Sequence, residues 1–370
     1  MRILLIGEYS NVHNTLARGL RELGHEVCVV SNGDFWKNYP RDIDVTRKPG
    51  KLGGVLLYLR LLCLLPRLRG YDVVQLINPM FFELKAQRLF FFYRWLRRHN
   101  RRVVLGAFGM DWYWVHECTF RKPLRYSDFN IGERVRTDEP AVREQQDWLG
   151  TEKERLNRMI AEDCDGVVAG LYEYMACYGP LFPQKTRFIP FPIVPATTND
   201  SGSKQSPITD GGPLRIFVGI SRSRSQYKGT DIMLKAAQDV AATYPDRVRL
   251  QVAEGVPFEQ YAVMMRDSDV LLDQLYSYTP AMNALLAMSQ GIVVVGGGEP
   301  ENYEILGETQ LRPIVNVEPT YDSVYQELEQ LVLHPERVAE LKRQGLEYIC
   351  RHHHYIKVAR QYAEFFAKLD

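Results

Sequence analysis

A loop with two arginines and a lysine within seven positions can hold a diphosphate. Ser221-Arg222-Ser223-Arg224-Ser225-Gln226-Tyr227-Lys228-Gly229 is such a loop, and it directly follows the apolar run 214–220 (LRIFVGI). Negative charge grows on a diphosphate as a bond to it breaks, and fixed cations with oriented N–H donors stabilise that charge. Residues 277–283 (SYTPAMN) give a second anion-binding feature, because they open a helix whose first N–H groups have no partner within it. A solvated basic loop and a plain helix start are the competing readings of the two segments.

Such a loop works only if a strand delivers it to the edge of a sheet. Short apolar runs recur along the chain, each followed by a polar loop and a helical stretch, from 2–7 (RILLIG) and 25–31 (HEVCVVS) onward. Three further runs open alike, after Asp72, Asp165 and Asp269, so an aspartate marks the passage from helix to strand. Apolar runs without alternation imply strands covered on both faces, which means parallel sheets between helices. The pattern stops at 197–212 (TTNDSGSKQSPITDGG), which is polar and has no apolar period. Three prolines stiffen 188–195 just before it. The expected architecture is α/β, with two Rossmann-like domains whose parallel sheets face each other across a cleft. Residues 1–194 form the first domain and 195–355 the second, and a C-terminal helix at 356–370 returns to the first. At the carboxyl edge of the second sheet, where such sheets bind ligands, Lys228 and an arginine from Arg222 or Arg224 would meet the anion.

Composition excludes several classes. The 46 basic and 45 acidic residues give a net charge of +1, so the chain is no general nucleic-acid binder. Residues 53–66 are apolar but interrupted by Arg60, too short for a spanning helix. The start, MRILLIGEYS, does not read as a secretory signal. Six dispersed cysteines, with no CxxC pair, fit a reducing cytoplasm. Charge is unevenly spread: residues 41–102 carry fourteen basic side chains against four acidic ones. Two segments there, at 51–70 and 86–102, mix leucine and phenylalanine with arginine. They read either as buried helices with basic rims or as a face resting on an anionic bilayer, peripheral to the inner side of the membrane.

In order and spacing, residues 213–350 resemble the nucleotide-sugar glycosyltransferases of the GT-B fold, specifically the large retaining group often called group 1. The resemblance rests on the basic loop ending in Lys228-Gly229, on DVLLDQL and YSYTPAMN, on Ala287-Met288-Ser289-Gln290-Gly291, and on GGGEPENYEIL. It implies transfer of a sugar from a nucleoside diphosphate to a hydroxyl of a glycan or lipid-linked glycan, as in polysaccharide synthesis. It implies that Lys228 and one arginine grip the diphosphate. Gly229, Ser277, Tyr278, Thr279, Asn283, Glu299 and Glu301 would line the donor site. The family places two glutamates where Tyr278 and Leu286 stand here. Leu286 cannot bond a ribose hydroxyl, so Asp273, Glu301 or Glu304 would have to replace that acid, or donor binding is altered.

In the first half, Gly109-Met110-Asp111 resembles the family's His-Gly-x-Asp loop, with Phe108 in place of the histidine. Inverting members of the wider fold pair a histidine at the position of His13 with an aspartate from a later loop, here Asp111, as a general base. A capping or surface role is the alternative for His13. A non-catalytic nucleotide- or glycan-binding protein is the rival motivated by Tyr278 and Leu286. A nicotinamide-dependent dehydrogenase is disfavoured because the first βα turn, GEYSNVHN, lacks G-x-G-x-x-G. No metal site or cofactor is expected. Of the three Asp-x-Asp sequences, at 42–44, 163–165 and 267–269, two sit at helix-to-strand junctions. His352, His353 and His354 are consecutive and point in different directions on a helix.

Overall fold

The computed structural model describes residues 1–195, 212–221 and 225–369. The chain divides into two compact units, residues 1–123 with 143–192 and 355–370, and residues 124–142 with 193–354. Sequence boundaries placed 124–142 in the first domain; in the structure this stretch clusters with the second unit. Its apolar residues have no strand or helix period, and its partners lie roughly a hundred residues or more downstream.

The first unit alternates strands and helices from its first residues. They are β1 (Arg2–Ile6), α1 (Val12–Glu22), β2 (Glu26–Ser31), β3 (Ile43–Asp44), α2 (Gly50–Leu64), β4 (Val73–Leu76), α3 (Ala86–His99), β5 (Arg102–Ala107) and the short α4 (Trp112–His116). A small antiparallel hairpin, β6 (Asn130–Ile131) and β7 (Arg134–Val135), belongs to the inserted stretch. Then come α5 (Glu139–Trp148), α6 (Glu152–Asp163), β8 (Gly166–Ala169), α7 (Tyr172–Tyr178) and β9 (Thr186–Phe188). The seven-stranded sheet has the order β3-β2-β1-β4-β5-β8-β9, and its ladders are parallel.

The second unit follows the same rule. It holds β10 (Leu214–Ile220), the single turn α8 (Ser225–Lys228), α9 (Thr230–Thr243), β11 (Val248–Glu254), α10 (Phe258–Arg266), β12 (Val270–Leu272), α11 (Met282–Ser289) and β13 (Val293–Gly296). It continues with α12 (Pro300–Leu306), β14 (Ile314–Asn316), α13 (Tyr321–Leu333) and α14 (Pro335–Tyr348). Its five parallel strands have the order β11-β10-β12-β13-β14. Ile216, Val218, Val270, Leu272, Val293 and Val295 pack under Met233, Ala237 and Val240 of α9 and Leu328 of α13.

The recurring aspartates have a physical explanation. A strand's first amide has no ladder partner unless something outside the ladder accepts from it. Asp72 accepts from the Arg2 amide at 2.7 Å, Asp165 from that of Val103 at 2.7 Å and Asp269 from that of Arg215 at 3.0 Å. Each carboxylate thus ties its own strand to the start of the neighbouring one. Asp165 is also forked by Arg97, and Asp269 by Arg215 and Lys342. Burial pushes the Asp269 carboxyl up, but its bonds from Arg215 and Lys342 outweigh that and hold it below the usual range.

The last helix, α15 (Tyr355–Ala367), belongs to the first unit and packs on α1. Gly19 makes the approach close: a Cβ there would lie 2.7 Å from the Ala359 Cβ and 2.7 Å from the Tyr355 carbonyl oxygen. The Tyr355 hydroxyl donates to Glu22 at 2.8 Å.

Candidate functional site

In an open parallel sheet, ligands bind beyond the strands' carboxyl ends where the strand order reverses. In the second unit that point lies between β10 and β12. The loop after β10 leads to Lys228, and the loop after β12 runs from Asp273 to Ala281. The two are joined by the Leu275 amide, which donates to the Lys228 carbonyl at 2.8 Å. Gly229 follows in the left-handed region at φ 69°, and a Cβ there would lie 2.6 Å from Leu275. The Lys-Gly pair read from the sequence therefore needs its glycine to let α9 start against the Leu275 loop.

Lys228 is half-buried, and among the described residues its ammonium has no ion pair or hydrogen bond. Asp273 stands close by. Burial raises its carboxyl above the ordinary value, while the Lys228 charge and a bond from Asn283 pull it back. Asn283, in the first turn of α11, donates to Asp273 at 2.9 Å and accepts from the Tyr261 hydroxyl at 3.0 Å. Lysine, aspartate, amide and phenol thus converge at the carboxyl edge of the second sheet. Arg222 and Arg224 lie outside the described residues.

The other donor-site candidates form a second group in the same unit. Ser277 and Thr279 are buried, and the Ser277 hydroxyl donates to the Thr279 carbonyl at 2.6 Å. Gly297 passes so near that a Cβ would lie 2.3 Å from the Ser277 carbonyl oxygen, so the triple-glycine loop is held against the 277–279 loop. Tyr278 is buried, and its hydroxyl accepts from the Arg125 amide at 2.7 Å. Arg125 also lies over the Tyr278 ring, 4.9 Å from its centroid. Its guanidinium bonds Glu299 at 2.7 Å and Glu301 at 2.5 Å, and the Tyr126 hydroxyl donates to Glu299. Burial raises the Glu301 carboxyl, but Arg125 more than compensates and holds it low. One arginine thus bridges both glutamates. Leu286 is half-buried on α11.

Sequence reasoning missed Arg125, Tyr126 and Arg136, all in the inserted stretch. Arg136 is buried, and its guanidinium donates to the carbonyls of Gln226 at 2.9 Å and Tyr227 at 3.2 Å, the residues just before Lys228. The Tyr227 hydroxyl donates back to Asp128 at 2.7 Å. Only the three arginines of LRYSDFNIGERVR hinted at this clasp.

In the first unit, the suggested base pair does not form. His13 is fully buried on α1; its Nδ1 donates to the Gly7 carbonyl at 2.8 Å. That fixes the tautomer, so Nε2 accepts from the Gln75 amide at 3.3 Å. Burial drives the imidazole down to about 3. Asp111 is equally buried and caps α4, accepting from the Trp114 amide at 2.8 Å and from the Tyr178 hydroxyl at 2.7 Å. Burial raises this carboxyl to about 7. Both groups are thus committed to other partners, two of them, Gln75 and Tyr178, more than sixty positions away in the chain.

Five of the six Asp-x-Asp acids are likewise occupied, Asp269 as described above. Asp42 pairs with Arg21, Asp44 with Arg41, and Asp163 and Asp165 with Arg97. His352 bonds Glu308 at 2.7 Å, whose carboxyl is held down to about 2 because this bond, two amides and Arg351 outweigh its burial. No group of three His, Cys, Asp or Glu side chains suited to a metal occurs among the described residues.

Two units, each a parallel sheet of Rossmann type between helices, with the last helix returning to the first unit, define the GT-B fold of glycosyltransferases. Similar solved structures include sucrose-phosphate synthase from Thermosynechococcus elongatus, with a TM-score of 0.65 and 14% identity over 100% of this chain and 99% of that one. UDP-GlcNAc 2-epimerase from Neisseria meningitidis bound to UDP-GlcNAc matches with a TM-score of 0.56 and 13% identity over 100% of both chains. WaaG, a glycosyltransferase involved in lipopolysaccharide biosynthesis, matches with a TM-score of 0.54 and 12% identity over 100% of both chains. No family model matches the sequence, and no curated protein matches it.

Proposed function

We propose that the protein transfers a sugar from a nucleoside diphosphate to a hydroxyl of a glycan or lipid-linked glycan, with retention and without a metal, in the synthesis of a polysaccharide or glycoconjugate. The observation that carries this reading is the uncommitted ammonium of Lys228 at the switch point of the second sheet, beside Asp273 and Asn283. With Arg222 or Arg224 and the amides opening α11, it would bear the charge that grows on the departing diphosphate. The released phosphate oxygen would take the proton of the incoming hydroxyl as the new glycosidic bond forms.

An inverting reaction would need His13 as base. His13 is neutral, buried and bonded at both nitrogens, which favours retention over that route. All six cysteines are thiols, in keeping with a cytoplasmic setting. A second reading, a nucleotide- or glycan-binding protein without turnover, draws on Leu286 and on Tyr278, whose hydroxyl is engaged by the Arg125 amide. Incubation with a panel of nucleoside-diphosphate sugars and glycan acceptors separates the two. Release of nucleoside diphosphate that depends on acceptor, with the anomeric configuration kept, supports the transferase; saturable binding of the nucleotide without release supports the binder.

A further inference from the structure

Helix α2 is apolar around most of its circumference, yet only one side is covered. Gly53, Leu57 and Leu61 face the core. On the opposite side Leu52, Val55, Leu56 and Leu59 are 69%, 55%, 47% and 52% exposed, and Cys63 continues the stripe at the next turn. At 3.6 residues per turn these positions share one face, and Lys51 and Arg60 flank it on either side. A helix apolar all round is normally buried on every side, so one left half uncovered calls for a partner surface.

Helix α3 extends the face. Arg88 lies over the ring of Tyr58 on α2, 5.3 Å from its centroid, and Tyr58 packs edge-on against Phe92. Phe91, 44% exposed, shares the outer side of α3 with Arg88, Arg94 and Arg98. Among the described residues none of Lys51, Arg60, Arg88, Arg94 or Arg98 has a carboxylate partner. The result is a stripe of leucines and a phenylalanine rimmed by unpaired cations. No helix of the described residues is long and apolar enough to cross a membrane.

We infer that α2 and the outer face of α3 form a docking surface for an anionic lipid bilayer, with α2 lying in the plane of the headgroups. The leucines enter the boundary with the acyl chains while Lys51, Arg60 and the α3 arginines meet lipid phosphates. The charge pattern selects this occupant over a second copy of the chain, whose identical face would bring unpaired cations against cations. Such a surface would suit an acceptor carried on lipid, but the inference does not depend on the donor chemistry.

Co-sedimentation of the full chain with vesicles tests it without any assay of turnover. Binding is expected to vesicles rich in phosphatidylglycerol at low salt, to weaken at high salt, and to be slight on pure phosphatidylcholine. Each cation removed should lower partitioning about fivefold, so K51Q/R60Q should bind roughly 25-fold less. L56D/L59D should lower it more than about tenfold while circular dichroism stays unchanged, because both side chains are exposed. Three results would overturn the inference. One is no binding to phosphatidylglycerol vesicles at low salt; another is binding indifferent to L56D/L59D. The third is a dimer dispersed by L56D/L59D without vesicle binding, which would assign the face to self-association.

Discussion

Arg136 sits over the ring of Tyr276, its guanidinium carbon 3.9 Å from the ring centroid. From that position it holds the carbonyls of Gln226 and Tyr227, so the backbone delivering Lys228 is fixed by a residue some ninety positions earlier. Stacking and forked donation are both properties of a planar guanidinium and not of an ammonium.

Replacing Arg136 with alanine should therefore loosen the Lys228 turn. The expected result is a raised KM for the nucleotide sugar and a loss of about 1.5–3 kcal/mol of stability, typical of a hydrogen bond from a charged group. Arg136→Lys should recover stability better than KM, since it restores charge but not the fork. Steady-state kinetics beside denaturant melts check this; a stability loss with KM and kcat untouched would leave Arg136 a purely structural residue.

Lys228→Ala should behave in the opposite manner. Its ammonium makes no hydrogen bond or ion pair to lose among the described residues, only a longer-range attraction to Asp273, so the melting temperature should move little. Turnover should fall about 10²–10³-fold, the cost of a lost group aimed at developing negative charge. Wild-type rates in this variant would remove Lys228 from the reaction. Because Arg222 and Arg224 can each supply the second charge, their alanine variants should differ, and the larger defect identifies the partner.

What the sequence made legible was local and periodic. The βα alternation and the aspartates at strand starts were readable because each follows from backbone bonds that any parallel sheet must satisfy. Lys228 could be singled out because a basic loop after an apolar strand is delivered to the carboxyl edge of its sheet, and the resemblance implied its pairing with Gly229. The clasp of Arg125 and Arg136 was not, because its partners lie roughly ninety or more residues away and the stretch has no period. For α2 the sequence left two readings open, a buried helix or a face on a bilayer, since an apolar helix looks the same whether one side or both are buried. The pairing of His13 with Asp111 was implied only by the resemblance to inverting members of the wider fold, and the structure gives these residues other partners in Gly7, Gln75, Trp114 and Tyr178.

Gly19 offers a test of how α15 is fastened. Alanine is the better helix former by about 1 kcal/mol, so on propensity Gly19→Ala should stabilise α1. A Cβ there would press 2.7 Å from both Ala359 and the Tyr355 carbonyl, and one of those atoms is rigid backbone. Overpacking of this kind costs about 1–3 kcal/mol and should win. Equilibrium denaturation should show a net loss, with α15 exchanging its amides faster than α1. A net gain would mean that α15 yields to the added methyl at little cost.

The pH dependence of the first unit turns on Glu8. Its carboxylate accepts from the amides of Asn14 at 2.8 Å and His13 at 3.2 Å, closing the start of α1, yet the group is buried. Burial raises it to about 8, with the two amide bonds opposing, and Asp111 in the same unit is raised to about 7. A carboxyl whose folded value exceeds its unfolded value binds more protons in the native state. Its contribution is therefore complete below the unfolded value of 4.5 and lost as pH rises through the folded one. His13 works from the other side: its folded value of about 3 lies below 6.5, so it destabilises as pH falls below that unfolded value. Stability should decline between about pH 5 and pH 8 through Glu8 and Asp111. Glu8→Gln keeps an oxygen for one of the two α1 amides but cannot ionise. It should start below the wild type near pH 5 and lose less stability on the way to pH 8, as read by urea melts at each pH. Equal slopes in the two proteins would show that Glu8 ionises in the folded state as readily as in the unfolded chain.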